Sequence, residues 1–305
     1  MPMVLSEESL RGILITQDSP WRDVRCPDEV PSTNAASLAD PLPWRVFTTG
    51  HQRAGRGRRE RVWESPRGTS VAVSLTVPMA EDPARWGWLP MLTGLAVLEA
   101  LGDLTGAPER FALKWPNDVL LGPPASDADG VDPDAQGGAG WLKVCGILCE
   151  AASHTPYGPL AVAGVGVNID LARHELPVPT ATSLTLAGLT APARGDVVVA
   201  IARAVARRHP DWCGTAEGMD RIRADFRAAC STLGQEVDVH VPAGEVVRGR
   251  AVDVAASGQL VVEVPCVDPL LGAVGGAWWE RREFAAGDVV HVRRAESDGS
   301  GMIES

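Results

Sequence analysis

Cysteine is scarce in this chain: six among 305 residues, too few for a scaffold held together by disulfides. Cys145 and Cys149 share an apolar segment, but a spacing of four without an accompanying histidine pair is not a zinc pattern. Both read as buried filler. No apolar stretch approaches the roughly 18 residues that span a bilayer. The N-terminus has no basic start followed by an apolar signal core, which argues against export and for a cytoplasmic protein. Excess positive charge is missing as well. A formal net charge of -11 argues against DNA or an anionic membrane as a bulk partner. A P-loop is excluded on finer grounds. Gly50 and Gly55 have its spacing, but Arg56-Gly57 follows where Lys and then Ser or Thr are needed.

What is present is a chain 45% hydrophobic, able to bury a substantial core in more than one domain. Strand alternation runs over 71–77, and 88–101 is apolar nearly all round, as in a buried helix. Further strands are expected over 111–113, 142–151 and 160–169, and helices over 196–208 and 218–229. The Gly-, Pro-, Asp- and Ala-rich stretch from Gly122 to Gly140 predicts a flexible insert. After Leu233, short β-like runs at 236–241, 246–254, 259–264, 278–284 and 288–293 alternate with glycine-rich turns. They predict a small barrel of roughly sixty residues. The boundary falls near Cys230, dividing the chain into 1–230 and 231–305.

Five segments carry chemistry. The densest, from Gly50 to Arg61, places five arginines among glycines. Arginine forks grip carboxylate and phosphate oxygens, and glycines let the backbone wrap a ligand. On an acidic protein such a loop reads as a local anion trap or as a solvated turn. Ser32-Thr33-Asn34 suits a helix N-cap and equally a polar recess for a ligand head group. Lys114-Trp115-Pro116-Asn117-Asp118 breaks two apolar strands, either as plain turn chemistry or as an opposed charge pair at a sheet edge. Alternation places Lys143 on the face of Cys145, Ile147 and Cys149, where it needs an anion or a route to water. Gly146, three residues on, leaves room for close approach. Gly164-Val165-Gly166-Val167-Asn168 ends a strand in an amide.

In this order the segments closely resemble biotin protein ligase. The matching elements are Ser32-Thr33-Asn34, Gln52 with Gly55-Arg56-Gly57-Arg58, Arg61 and Trp63, then Lys114 to Asp118, Lys143 with Gly146, and Gly164 to Asn168. The resemblance is strong over about 30–170 and looser beyond. It implies an α+β fold, with a mixed-sheet catalytic domain followed by a C-terminal SH3-like barrel. It implies ATP, with Mg²⁺, activating biotin to biotinyl-5′-AMP, and a lysine of a biotin carboxyl carrier protein receiving it. Ser32, Thr33, Asn34, Gln52, Arg56, Gly57, Arg58, Lys143 and Gly146 match biotin positions. Arg58, Arg61, Trp63, Lys114 and Asn168 match ATP positions. Arg58, Lys143 and Asp118 match the reacting centre, with no dedicated protein metal site. The 31 residues before Ser32 are too few for the DNA-binding domain of some members, so the ligase-only form is expected. Arg293 or Arg294 is a further candidate for the adenylate. A lipoate ligase and a non-catalytic biotin or nucleotide sensor are the rival readings.

Overall fold

The structure is a computed structural model that describes residues 3–58, 62–63, 66–124, 140–241, 244–266, 278–285 and 288–291. Arg61, Arg293, Arg294 and most of the expected insert (125–139) lie outside the described residues.

Helix α1 (Glu7–Leu14) starts on Ser6, whose Oγ accepts from the Ser9 N–H at 3.2 Å, and buries Leu10 and Leu14. The main sheet has seven strands: β1 (Asp23–Arg25), β2 (Arg45–Thr48), β3 (Ser70–Pro78), β4 (Phe111–Lys114), β5 (Asp118–Leu121), β6 (Leu142–Ala152) and β7 (Leu160–Asn168). Their spatial order is β1-β2-β3-β7-β6-β5-β4. β1 and β2 run parallel, and every other neighbouring pair is antiparallel. The sheet is therefore mixed.

Four more helices are α2 (Thr33–Ala39), α3 (Leu89–Thr105), α4 (Arg194–Cys213) and α5 (Ala216–Ala229). The all-round apolar sequence of α3 is explained by its burial: it packs on the sheet and against α4. Each large aliphatic side chain buried this way contributes about 1.5–3 kcal/mol. Gly94 of α3 approaches Leu113 and Ile147 on that face of the sheet. On the opposite face α2 meets β3 through Ser74. Two covered faces account for the burial of every residue of β3 between its ends, the polar Ser74 and Thr76 included.

Past α5, the Ser231 N–H and Oγ both donate to the Leu113 carbonyl, at 2.8 and 2.9 Å. The second sheet is antiparallel throughout: β8 (Glu236–His240), β9 (Val246–Val254), β10 (Leu260–Cys266), β11 (Trp278–Phe284) and β12 (Asp288–His291), in the order β11-β10-β9-β8-β12. This is the small β unit that the turn-punctuated tail predicted, and the one that the resemblance implied to be SH3-like. The turn between β9 and β10 sits against two buried indoles. Trp88 Nε1 donates to the Ala256 carbonyl at 2.9 Å and Trp115 Nε1 to the Gly258 carbonyl at 3.1 Å. Among the described residues, no helix is long and apolar enough to cross a membrane.

Candidate active site

A cavity of about 890 Å³ opens on the α2 side of the main sheet, within the size range of sites that enclose a small-molecule ligand. Every expected site residue among those described lines it; Arg61 and the candidates Arg293 and Arg294 lie outside the described residues.

Its floor is a closed hydrogen-bond set. Ser32 caps α2, its Oγ accepting from the Ala35 N–H at 3.3 Å. The Thr33 N–H donates to Gln52 Oε1 at 2.9 Å. Asn34 Nδ2 donates to the Leu148 carbonyl at 3.0 Å and to Glu150 Oε2 at 2.8 Å, and Asn34 Oδ1 accepts from Ser74 Oγ at 2.6 Å. Both amide hydrogens of Asn34 are committed, so its orientation is fixed. The capping and recognition readings of Ser32-Thr33-Asn34 are thus compatible. The two glycines of β7 have a steric cause. A Cβ on Gly164 would sit 2.1 Å from Asn34 Oδ1, and one on Gly166 would sit 2.6 Å from the Trp63 ring.

The arginine loop forms a flap over one side. Gly55–Arg56 pairs antiparallel with Val62–Trp63. Arg56 Nη2 reaches both Glu150 oxygens at 3.2 and 3.3 Å, and Arg58 Nη1 donates to Asn117 Oδ1 at 3.2 Å. The segments entering and leaving the flap meet at Glu29, 2.9 Å from Arg53 and 3.0 Å from Arg67.

The cationic wall corrects one expectation. Lys143 does not share the face of Cys145, Ile147 and Cys149. The β6–β5 register shifts between Lys143 and Cys145, and such a bulge inverts the alternation beyond it. Lys143 therefore turns to the cavity beside Gly146, where a Cβ would stand 3.1 Å from Nζ. Cys145 and Ile147 join the core. Burial pushes the Cys149 thiol up to about 12 and Cys145 higher still, consistent with inert filler. Lys143 Nζ lies 2.6 Å from Asp118 Oδ1 and 5.5 Å from the Trp63 ring centroid. That oxygen is buried and takes no well-directed hydrogen bond, so the contact is ionic and accepting capacity remains. Lys114 faces Asp118 across the β4–β5 hairpin. These two are the only lysines in the chain. Asn168 is buried at the far end, its Nδ2 donating to the Thr182 carbonyl at 2.9 Å.

Sequence reasoning missed Asn117, Glu150 and His240. Asn117 stood inside a quoted motif, but its place as the brace under Arg58, donating from Nδ2 to the Ile147 carbonyl at 2.7 Å, had no sequence signal. His240 ends β8 and lines the cavity from the C-terminal sheet. Among the described residues no group of three or more His, Cys, Asp or Glu side chains gathers as metal ligands. Among the described residues that line the cavity, Asp118 is the one carboxylate.

Over 297 residues the chain is 36% identical to the biotin–[acetyl-CoA-carboxylase] ligase of Mycobacterium tuberculosis, covering 95% of this chain and 96% of that one. It belongs to the biotin protein ligase family. Residues 32–170 match the model of the biotin/lipoate A/B protein ligase family, and 232–292 that of the biotin protein ligase C terminal domain. The biotin–[acetyl-CoA-carboxylase] ligase of Paracoccus denitrificans is 35% identical over 141 residues, 45% of this chain and 51% of its own. In fold, the chain resembles the biotin protein ligase of Aquifex aeolicus, solved in complex with biotin and ATP. The TM-score is 0.64 at 20% identity, over 90% of this chain and 100% of that one.

Proposed function

We propose that this chain joins biotin to a lysine of a biotin carboxyl carrier domain through biotinyl-5′-AMP, working in the cytoplasm. The observation that carries the reading is the meeting of flap arginines, both lysines and a neutral polar floor in one cavity. A biotin head group suits the floor of Ser32, Thr33, Asn34 and Gln52, where side chains already held in place read its ureido edge. Its carboxylate then faces Lys143, Arg56, Gly57 and Arg58, with Gly146 leaving space beside the chain.

In the first step a carboxylate oxygen of biotin attacks the α-phosphorus of ATP, and the bond to pyrophosphate breaks. Two anions must approach, so the barrier is electrostatic, and Arg58 and Lys143 supply charge at fixed positions; one such group is worth about 10²–10³ in rate. Lys114, Arg61 and Trp63 serve the nucleotide, with Asn168 at the adenylate end. Mg²⁺ arrives with the nucleotide phosphates, since Asp118 is the one cavity carboxylate among the described residues. In the second step the carrier amine attacks the acyl carbon, AMP leaves, and the amine's proton passes to Asp118. Lys143 drawn onto the anhydride frees Asp118 for that role. The closed flap keeps water from the mixed anhydride. The proposed domains are catalytic 1–230 and C-terminal 231–305, the latter reaching the cavity through His240.

Mass spectrometry of a carrier domain incubated with biotin, ATP and this protein tests the reading. A gain of one biotinyl group is expected. Lipoyl transfer instead would reassign the substrate, and biotin binding without pyrophosphate release would make the protein a sensor.

A further inference from the structure

Glu150 belongs to none of the roles above, yet it ties the floor of the cavity to the flap. It lies on β6, two residues beyond Leu148. Its Oε2 accepts from Asn34 Nδ2 at 2.8 Å, and both its oxygens take Arg56 Nη2 at 3.2 and 3.3 Å. Asn34 is 4% exposed, while the Arg56 side chain is 47% exposed. The carboxylate thus bridges a fixed partner and one that solvent competes for. Held by Asn34, it is not free to follow Arg56 outward. A carboxylate so fixed loses little further entropy when it captures a guanidinium, which is what isolated surface pairs lack. Next to it, Arg58 donates to a neutral acceptor, Asn117 Oδ1, at 3.2 Å, so Glu150 is the anion that meets the described part of the flap tip over the floor.

We propose that Glu150 is a positioning residue that clips Arg56, and with it the flap, over the cavity, and so sets how fast an activated acyl group escapes. The proposal rests on the biotin ligase reading for its ligand, though the clip itself is present without one. Glu150→Gln keeps the size of the side chain and removes the charge. Dissociation of preformed, radiolabelled biotinyl-AMP, chased with unlabelled biotin, is expected to quicken about fivefold in Glu150→Gln. In an Arg56→Ala background the same substitution should add nothing. Equal release by Glu150→Gln and wild type, or effects that multiply in the double variant, would overturn the clip.

A second readout does not depend on activity. In ligand-free protein, an arginine-specific protease should cut within residues 53–58 several-fold faster in Glu150→Gln, at an unchanged unfolding temperature. Equal cutting would also overturn the clip, whereas faster cutting with no adenylate formed by the wild type would refute the assigned function and leave the clip standing. If Glu150→Gln does not fold, Arg56→Gln, altered only on an exposed side chain, takes its place in the protease experiment, read at Arg53 and Arg58, the sites it shares with the wild type, with the same two outcomes.

Discussion

Two lysines against a large excess of arginine make Lys114 and Lys143 informative as individuals. Wherever positive charge alone is wanted, this chain uses arginine. At 143 a compact ammonium is required, placed 2.6 Å from Asp118 on a bulge beside Gly146. Lys143→Arg should therefore fail to rescue, because a planar fork neither fits beside Gly146 nor concentrates charge at one point. Adenylate formation, followed as pyrophosphate release, is expected to fall about 10²-fold or more with folding intact. Wild-type rates would show that any cation suffices. Gly164 makes a steric claim. A Cβ there would press on Asn34 Oδ1, so Gly164→Ala should weaken biotin binding by roughly 5–150-fold, the range for about one to three kcal/mol of overpacking. Titration calorimetry measures it, and unchanged affinity would remove Asn34 from the recognition floor. At this scale the sequence was legible where residue types are chemically restrictive, as with arginine forks and paired glycines. It was silent on Glu150, an ordinary acid on a strand whose meaning comes from Asn34 and Arg56, both distant in sequence.

Elements were legible in proportion to their periodicity. The alternating run of β3 and the long apolar runs of α3, β6 and β7 were recognised within a residue or a turn of their ends. α1, β1 and β2 were missed. β1 is only Asp23-Val24-Arg25, and its pairing with β2 is secured by charge: Asp23 takes Arg45 at 2.8 Å and Arg11 of α1 at 2.7 Å. A buried ion network leaves no hydrophobic pattern to read. The bulge in β6 was equally invisible, since alternation assumes a register that one extra residue destroys.

α4 carries a titration of its own. His209 is buried, its Nε2 facing the Pro78 carbonyl at 2.8 Å, with Trp44 and Trp212 edge-on to the ring. Burial lowers its pKa below the ordinary 6.5, against the opposing pull of the Pro78 carbonyl. The folded protein then binds fewer protons than the unfolded chain between the two values. This stabilisation is complete above 6.5 and is lost as pH falls through the folded value. The unfolding temperature should drop by a few degrees on acidification from pH 7.5 into that window. His209→Gln should flatten the slope, and an unchanged slope would place the acid sensitivity elsewhere.

For the whole molecule, the tail's short runs announced a separate β unit, but not how it docks. The β9–β10 turn presents its carbonyls to Trp88 and Trp115, and Trp115 lies within the Lys114–Asp118 motif. One residue thereby belongs to the cavity wall and to the seat of the second sheet, and His240 enters the cavity from that sheet. Trp88→Phe leaves the Ala256 carbonyl without its donor. Ala256 is exposed, so the loss should be the net worth of one hydrogen bond, about 0.5–1.5 kcal/mol, read by calorimetry as a lower transition temperature, with weaker nucleotide binding if the two units work as one. Unaltered stability would mean that the docking does not depend on this bond.

The central claim is that this one cavity joins biotin's carboxylate to the α-phosphate of ATP. Its most direct measurement is pyrophosphate release by purified protein with no carrier present, with the acid-quenched product weighed by mass spectrometry. The account predicts biotin-dependent release of about one pyrophosphate per active site, accompanied by biotinyl-5′-AMP. Release that ignores biotin, or no release when both substrates are bound, would contradict it.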